Sequence, residues 1–393
     1  MFDAGGKAAV IGVGRSEIGR RLDRPLGLLA IDAVRAAVAD AGLNLGDVDG
    51  ITTYPELPAS GHGLARDGEH IVTTAWMIRN LGLDGLNYWG ESGAGNISTA
   101  IGDAIRAVVT RCCQTVVIFR ALSRPREGSY TQFVGDRASG AAAFTAPYGA
   151  VHAPLTFALN YYMRYQRLFG ARRQHMAAYV LAARRGANLN PAAIFSHVPL
   201  TFEDYMTCRM IADPMCLFDC DMPVDGASAI VISSAERARS LPNPPAYITG
   251  FGQASWAPQA APIEQLWHRT RTLGIQLWES SGLTARDVDA AMFYDGFAPD
   301  IYFWLEGMGF CERGHAFEWI QDGRVEIDGE LPINTFGGNL SEGRLHGIGH
   351  WVEGALQVQG RAAGRQVRNA EHVVVATGLL GHGSGVVLSR EPR

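Results

Sequence analysis

The chain repeats itself, and the repeat limits what it can fold into more than any other feature. Ala41-Gly42-Leu43-Asn44-Leu45-Gly46-Asp47-Val48-Asp49-Gly50 matches Ser281-Gly282-Leu283-Thr284-Ala285-Arg286-Asp287-Val288-Asp289-Ala290, sharing Gly-Leu-x-x-x-Asp-Val-Asp. Each copy follows an amphipathic stretch, Ala30 to Ala41 or Leu273 to Ser281, and precedes a β-like run, Gly50 to Tyr54 or Ala290 to Tyr294. Upstream, Val10-Ile11-Gly12-Val13-Gly14 resembles Ile248-Thr249-Gly250-Phe251-Gly252. Both copies read strand, helix, Gly-Leu turn, short strand. The glycine after each helix suits a left-handed cap, where a side chain would clash, and Asp47 and Asp287 suit the turn that follows. The halves also end alike. A helical stretch, Ile97 to Arg111, leads into Thr115-Val116-Val117-Ile118-Phe119, and Gly349 to Ala363 leads into His372-Val373-Val374-Val375-Ala376. Such apolar runs suit central strands of a sheet covered on both faces.

The segment from about Ala121 to Met215 has no counterpart in the second half. It is rich in aromatics and arginine and reads as an inserted loop domain. Asp225 to Ser233 returns as the last strand of the first half, and Pro242 to Pro245 is the linker. The expected organisation is an α/β protein with an N-terminal half over 1–241, carrying the insertion 121–215, and a C-terminal half over 246–393. A length of 393 residues with 47% hydrophobic content suffices for two fused halves. The net charge of −5, with signs mixed and no basic block, argues against nucleic acid. The sequence shows no secretory leader and no bilayer-spanning apolar run, so a cytoplasmic protein without membrane partners is expected. Six scattered cysteines make neither a zinc ribbon nor a disulfide framework. Gly12-x-Gly14 lacks the third glycine of a dinucleotide site.

Duplicated βαβαβ halves with an insertion in the first resemble the thiolase layout, and local motifs agree. Pro223-Val224-Asp225-Gly226-Ala227-Ser228-Ala229 resembles the family's Asp-Gly-Ala-Ala strand. Phe293-Tyr294-Asp295-Gly296-Phe297 resembles the His-Asp-Cys-Phe motif of sterol-carrier-type thiolases. Asn334-Thr335-Phe336-Gly337-Gly338-Asn339-Leu340-Ser341-Glu342-Gly343 resembles their Asn-x-x-Gly-Gly-x-x-x-x-Gly loop. The resemblance covers nearly the whole chain and is nearest to the bacterial steroid side-chain aldolases. It implies a five-layer αβαβα fold, and it implies retro-aldol rather than thiolytic chemistry.

Thiolase chemistry itself is missing. A thiolase needs a cysteine thiolate as acyl acceptor, because the covalent intermediate splits one difficult transfer into two easier ones. Alignment on Gly93 puts Gly90 at that position, with Glu91 and Ser92 beside it and no paired histidine to activate the serine. The second family cysteine becomes Gly378. The Gly-His-Pro histidine becomes Arg344, and the His-Asp-Cys-Phe histidine and cysteine become Tyr294 and Gly296. Coordinated replacement with retained surroundings points to a different reaction.

Tyr294 is the candidate acid or base for a substrate hydroxyl. A phenol starts near pKa ~10 and needs a cation to ionise at neutral pH, and the resemblance brings Arg344 to it. His346 is read either as a donor to a thioester oxygen or as the base. Steroid-aldolase relatives carry Tyr at the place of Arg344, while their histidine two residues on matches His346. Asp295 orients its neighbours or serves as a catalytic acid. Gly338, Gly381 and Gly383 are expected to bind the thioester through backbone N–H groups, and His382 lies between two of them. His346 and His350, at i and i+4, would chelate metal only if both were helical; packing of His350 is the favoured reading, and no metal is expected. Cys216 and Cys220 are reserve nucleophiles.

The expected function is therefore a carbon–carbon lyase acting on a bulky, by resemblance steroid, β-hydroxyacyl-CoA. Coenzyme A enters as part of the substrate and no cofactor is bound. The alternatives are an acyl-CoA acyltransferase or condensing enzyme, and a non-catalytic lipid- or acyl-CoA-binding subunit. A homodimer through Leu86 to Ala100 is expected, and the resemblance adds a small OB-fold partner with a zinc ribbon.

Overall fold

In the computed structural model, which describes residues 4–55, 66–92, 97–123, 154–255, 263–378 and 382–392, the two apolar runs are strands covered on both faces. Their side chains alternate between cores. Val116 and Ile118 join one apolar cluster and Val117 and Phe119 a second; Val373 and Val375 join the first cluster again, and Val374 and Ala376 a third. Alternation of this kind is what a strand between two helical layers must show.

The strands are β1 (Ala8–Arg15), β2 (Gly50–Thr53), β3 (Tyr88–Glu91), β4 (Thr115–Leu122), β5 (Met210–Ala212), β6 (Met215–Cys216), β7 (Gly226–Ser234), β8 (Ala246–Ser255), β9 (Ala290–Phe293), β10 (His372–Thr377) and β11 (His382–Ser389). All but the β5–β6 hairpin line up as β3-β2-β4-β7-β1-β8-β11-β10-β9. The helices of two turns or more are α1 (Leu26–Asp40), α2 (Thr74–Leu81), α3 (Ile97–Val109), α4 (Pro154–Phe169), α5 (Arg173–Asn188), α6 (Ile263–Ser281), α7 (Asp300–Met308) and α8 (Ile348–Val358).

The duplication is plain in the pairing. β2 runs parallel to β4 with Thr53 opposite Phe119, and β9 runs parallel to β10 with Phe293 opposite Ala376. β3 lies parallel to β2 with Trp89 opposite Ile51; in the second half a single parallel bridge joins Ile333 to Ala291. The two half-sheets meet at the β1–β8 seam, through Ala9/Tyr247 and Val10/Ala246. They close around α3 and α8, whose apolar residues share one cluster with the inner faces of both. α1 covers the outer face of the first half-sheet and α6 and α7 that of the second, which completes five layers. The repeated Gly-x-Gly explains how closely the outer helices sit. A Cβ on Gly12 would lie 2.7 Å from Ala41 Cβ, and one on Gly250 would lie 2.8 Å from Ser281 Cβ.

The strand β4 continues to Leu122 before the segment without a counterpart begins, and the helix α4 of that segment packs on the second half. Tyr165 lies 4.9 Å from Tyr302 and Tyr161 6.2 Å from Phe303, ring centre to ring centre. The Tyr165 hydroxyl and Trp267 Nε1 both donate to the mostly buried Glu306. Among the described residues no helix is long and apolar enough to cross a membrane.

Candidate active site

Parallel strands present their carboxyl ends together, and in open α/β sheets that is where ligands bind. Here the ends of β2, β4, β9 and β10 bring four side chains into one region. The residue after β2 is Tyr54 and the residue after β9 is Tyr294, so the two tyrosines are equivalent in the duplication. Arg120 follows Phe119 in β4 as Thr377 follows Ala376 in β10.

Tyr294 is held by its backbone. Its N–H donates to Ala376 O at 2.9 Å, and its carbonyl accepts from Trp304 Nε1 at 2.9 Å. A Cβ on Gly296 would fall 2.8 Å from Tyr294 Cε1, so the glycine gives the ring its room. The ring is half-buried. Burial raises the phenol above its ordinary pKa; the Arg344 guanidinium pulls it down, and Asp221, Asp300 and Asp295 push it up further. Burial wins. The expectation that Arg344 brings Tyr294 to a phenolate near neutrality is therefore corrected: the resting side chain is a phenol.

Arg344 is hooked across to the loop before β7. Its backbone N–H donates to Met222 O at 2.8 Å, and its Nε lies 3.7 Å from Asp221 Oδ2. Asp221 in turn donates its N–H to Gly296 O at 3.1 Å. Asp221, which no sequence motif marks, is thus tied to the Tyr294 turn and to Arg344 together.

His346 sits in a turn at φ +52°, ahead of α8. Its Nδ1 is 3.0 Å from Arg120 Nη2. A guanidinium has no acceptor, so Nδ1 accepts and the ring hydrogen is on Nε2. Burial first, then Arg344 and Arg120, hold the imidazole well below its ordinary pKa, and the ring is neutral. Tyr54 stacks on it at 6.3 Å with an interplanar angle of 29°. The neighbouring Gly347 touches Tyr294, where a Cβ would lie 3.2 Å from Cδ2. Tyr294, Arg344 and His346 are thus brought together. For the two uses foreseen for His346, a base would need the Nδ1 lone pair that Arg120 occupies, whereas a donor through Nε2 would not. Arg120 was not anticipated, although one arginine inside an otherwise apolar run is the signal that marks it.

Asp295 is buried beneath this surface. It accepts from the Tyr179 hydroxyl at 2.7 Å, from Asn339 N–H at 2.8 Å and from His350 Nε2 at 3.1 Å. Its partners are structural, which corrects the reading of Asp295 as a catalytic acid. His350 lies in α8 and His346 outside it, so they form no helical pair. Among the described residues no group of three His, Cys, Asp or Glu is placed to hold a metal. Gly338, at φ +60°, packs on Asp295, and a Cβ there would overlap Oδ2. Gly383 lies in β11 opposite Ala254 rather than in a loop, because the β8–β11 ladder extends to His382. Gly381 and the side chain of His382 lie outside the described residues.

Among the described residues around the missing cysteine's place, none is set up as a nucleophile. Gly90 lies in β3, its carbonyl accepting from Thr74 Oγ1 at 2.8 Å. Glu91 accepts Thr74 N–H at 2.6 Å, at the first turn of α2, and so completes a helix end. Ser92 is buried, its N–H on Thr53 O at 2.9 Å. Burial pushes the Cys113 and Cys216 thiols up to about 12 and raises Cys220 and Cys311 as well. A buried thiol of this kind is a poor nucleophile.

Residues 253–390 match the family model described as Thiolase C-terminal domain-like. The chain is 34% identical over 402 residues to a protein of Thermomonospora curvata named steroid side-chain-cleaving aldolase, covering 98% of each. It is also 34% identical over 399 residues to the 17-hydroxy-3-oxo-4-pregnene-20-carboxyl-CoA lyase of Mycobacterium tuberculosis, covering 98% of this chain and 99% of that one. Among solved structures, the Ltp2-ChsH2(DUF35) aldolase superposes with a TM-score of 0.84 at 34% identity, over 98% of both chains.

Proposed function

The chain belongs to the thiolase-like steroid side-chain-cleaving aldolases, and from that premise we propose that it is a carbon–carbon lyase cleaving a bulky, ring-bearing β-hydroxyacyl-CoA. The observation that supports this best is the placing of Tyr294 against Gly347, next to a His346 whose Nδ1 accepts from Arg120. In the reaction, the β-hydroxyl proton passes to the ionised form of Tyr294. The β C–O bond becomes a carbonyl, the α–β bond breaks, and its electron pair becomes the thioester enolate. His346 Nε2–H holds the enolate oxygen while the α carbon takes the proton back from Tyr294, which returns the tyrosine to its ionised form. The products are a ketone or aldehyde and a shortened acyl-CoA, and no acyl-enzyme forms. Coenzyme A belongs to the substrate, with backbone N–H groups of the 337–347 loop at the thioester.

The assembly we propose is a homodimer joined through β3, with a small OB-fold, zinc-ribbon partner completing the acyl-CoA tunnel. β3 is an edge strand and Trp89 on it is 64% exposed. One solved relative joins two proteins in its name. The test is to incubate the protein, alone and with such a partner, with a ring-bearing β-hydroxyacyl-CoA and to follow both products by mass spectrometry. Stoichiometric ketone and shortened acyl-CoA are expected. An acyl adduct on Ser92 or a cysteine, or binding without turnover, overturns the reading.

A further inference from the structure

We propose that Arg120 and Tyr54, both from the first half of the chain, are positioning residues that commit His346 of the second half to a single role, hydrogen-bond donor through Nε2. The proposal rests on the lyase reading and assigns the work within it.

The geometry carries it. Arg120 Nη2 meets His346 Nδ1 at 3.0 Å, and a guanidinium can only donate. The ring nitrogen left to carry hydrogen is Nε2, on the far side of the imidazole. Arg120 is itself fixed. Only 2% exposed, it donates from Nη1 to Ala121 O at 2.8 Å, and its Cζ lies 5.0 Å from the centre of the Tyr54 ring. Tyr54 then stacks on His346. One side chain fixes the tautomer and the other the ring plane, and the backbone of His346 is held at a φ that non-glycine residues rarely adopt. A planar fork suits this arrangement better than an ammonium, because Arg120 bonds a carbonyl and an imidazole at once.

The duplication gives the arrangement its logic. Tyr54 and Arg120 stand where Tyr294 and Thr377 stand in the second half. In the second half the strand-end tyrosine, Tyr294, is the one proposed to meet the substrate hydroxyl, while in the first half the strand-end pair supports the histidine. Among the described residues, the charged and titratable groups facing His346 include Arg120 from β4, Arg344 from its own loop, Tyr54 after β2 and Tyr294 beyond Gly347. A donor backed by a fixed cation stabilises an enolate oxygen without giving up its proton. Proton exchange is left to Tyr294.

The test reads the tautomer directly. Protein labelled with nitrogen-15 in histidine, with His346→Gln to assign the signal, is titrated from about pH 5.5 to 9. In the wild type, His346 is expected as the Nε2–H tautomer throughout, without protonation. Arg120→Met is expected to mix the tautomers and to let the ring protonate at a higher pH. Its kcat should fall on the order of ten- to a hundredfold with KM nearly unchanged, since a wrong tautomer disables a histidine without removing it. Arg120→Lys should recover part of both. A wild-type His346 that carries hydrogen on Nδ1, or that titrates near its ordinary pKa, overturns the proposal even if Arg120→Met fails to fold. So does an Arg120→Met protein with wild-type kcat and an unchanged tautomer. Failure of the lyase reading looks different, because no ketone then forms with any variant while the tautomer signal stays in place.

Discussion

His350 turns its Nε2 to Asp295 Oδ1 at 3.1 Å, with both side chains fully withdrawn from solvent. Tyr179 of α5 and the Asn339 N–H reach the same carboxylate. The residue after Tyr294 thus clamps α5, the glycine loop and α8 together. Asp295→Asn would put an N–H donor among three donors. It is expected to cost about 3 kcal/mol, read as a lower urea midpoint, and to lower activity by loosening Tyr294. An unchanged midpoint would show the cluster to be slack.

Gly338→Ala tests the same joint from the other side. The new Cβ would overlap Asp295 Oδ2 and would also sit at φ +60°. Gly82 has nearly the same backbone, φ +64°, with nothing within 4 Å of its missing Cβ. Gly82→Ala should cost roughly 1 kcal/mol, the backbone part alone. Gly338→Ala should cost at least about 2 kcal/mol more, as collision with buried polar atoms does. Equal losses in thermal melts would mean that Asp295 moves aside freely.

The duplicated fold was legible because it is written in periodic apolar runs and in glycines where outer helices touch strands, as at Gly12 and Gly250. Tyr294, Arg344 and His346 were legible because motifs mark their positions. The ionisation of Tyr294 was not, since it is set by burial and by Asp221 and Asp300, which lie far from it or unmarked in sequence. Arg120 escaped for a related reason. Its partner is 226 residues away, and only closure of one half-sheet against the other brings them into contact.

Alkylation separates this chemistry from thiolysis. Cys112 is exposed, whereas burial pushes the Cys113 and Cys216 thiols up to about 12 and raises Cys220 and Cys311 too. Iodoacetamide at neutral pH is expected to modify Cys112 and leave turnover intact. Complete inactivation that substrate prevents, traced to one alkylated cysteine, would restore a nucleophilic thiol to the mechanism.

Exposed edge strands pair with whatever fits them. Trp89 presents a large apolar surface on β3, which among the described strands bonds only β2. Light scattering at micromolar concentration should give twice the chain mass, and Trp89→Lys should shift it toward the single chain with the fold retained. A single-chain mass for the wild type would leave the edge to another partner.

Tyr294→Phe is the sharpest test of the reaction. The substitution removes one hydroxyl from a half-buried ring whose backbone bonds, to Ala376 O and from Trp304 Nε1, do not depend on it. Stability should change little. General acid–base groups contribute on the order of a hundred- to ten-thousandfold, so kcat should fall at least about a hundredfold. The pH profile gives the sign. Burial and the nearby carboxylates keep the phenol protonated in the resting chain, so the ionised form that accepts the hydroxyl proton is a minor species at neutral pH. Each unit rise in pH increases that fraction about tenfold while pH stays below the raised pKa. The logarithm of kcat/KM should therefore climb with pH from neutrality into the alkaline range, and the climb should vanish in Tyr294→Phe. A flat wild-type profile, or a Tyr294→Phe protein that keeps the slope, would show that another group takes the substrate proton. Asp221, tied to both Arg344 and the Tyr294 turn, would then be the next side chain to change.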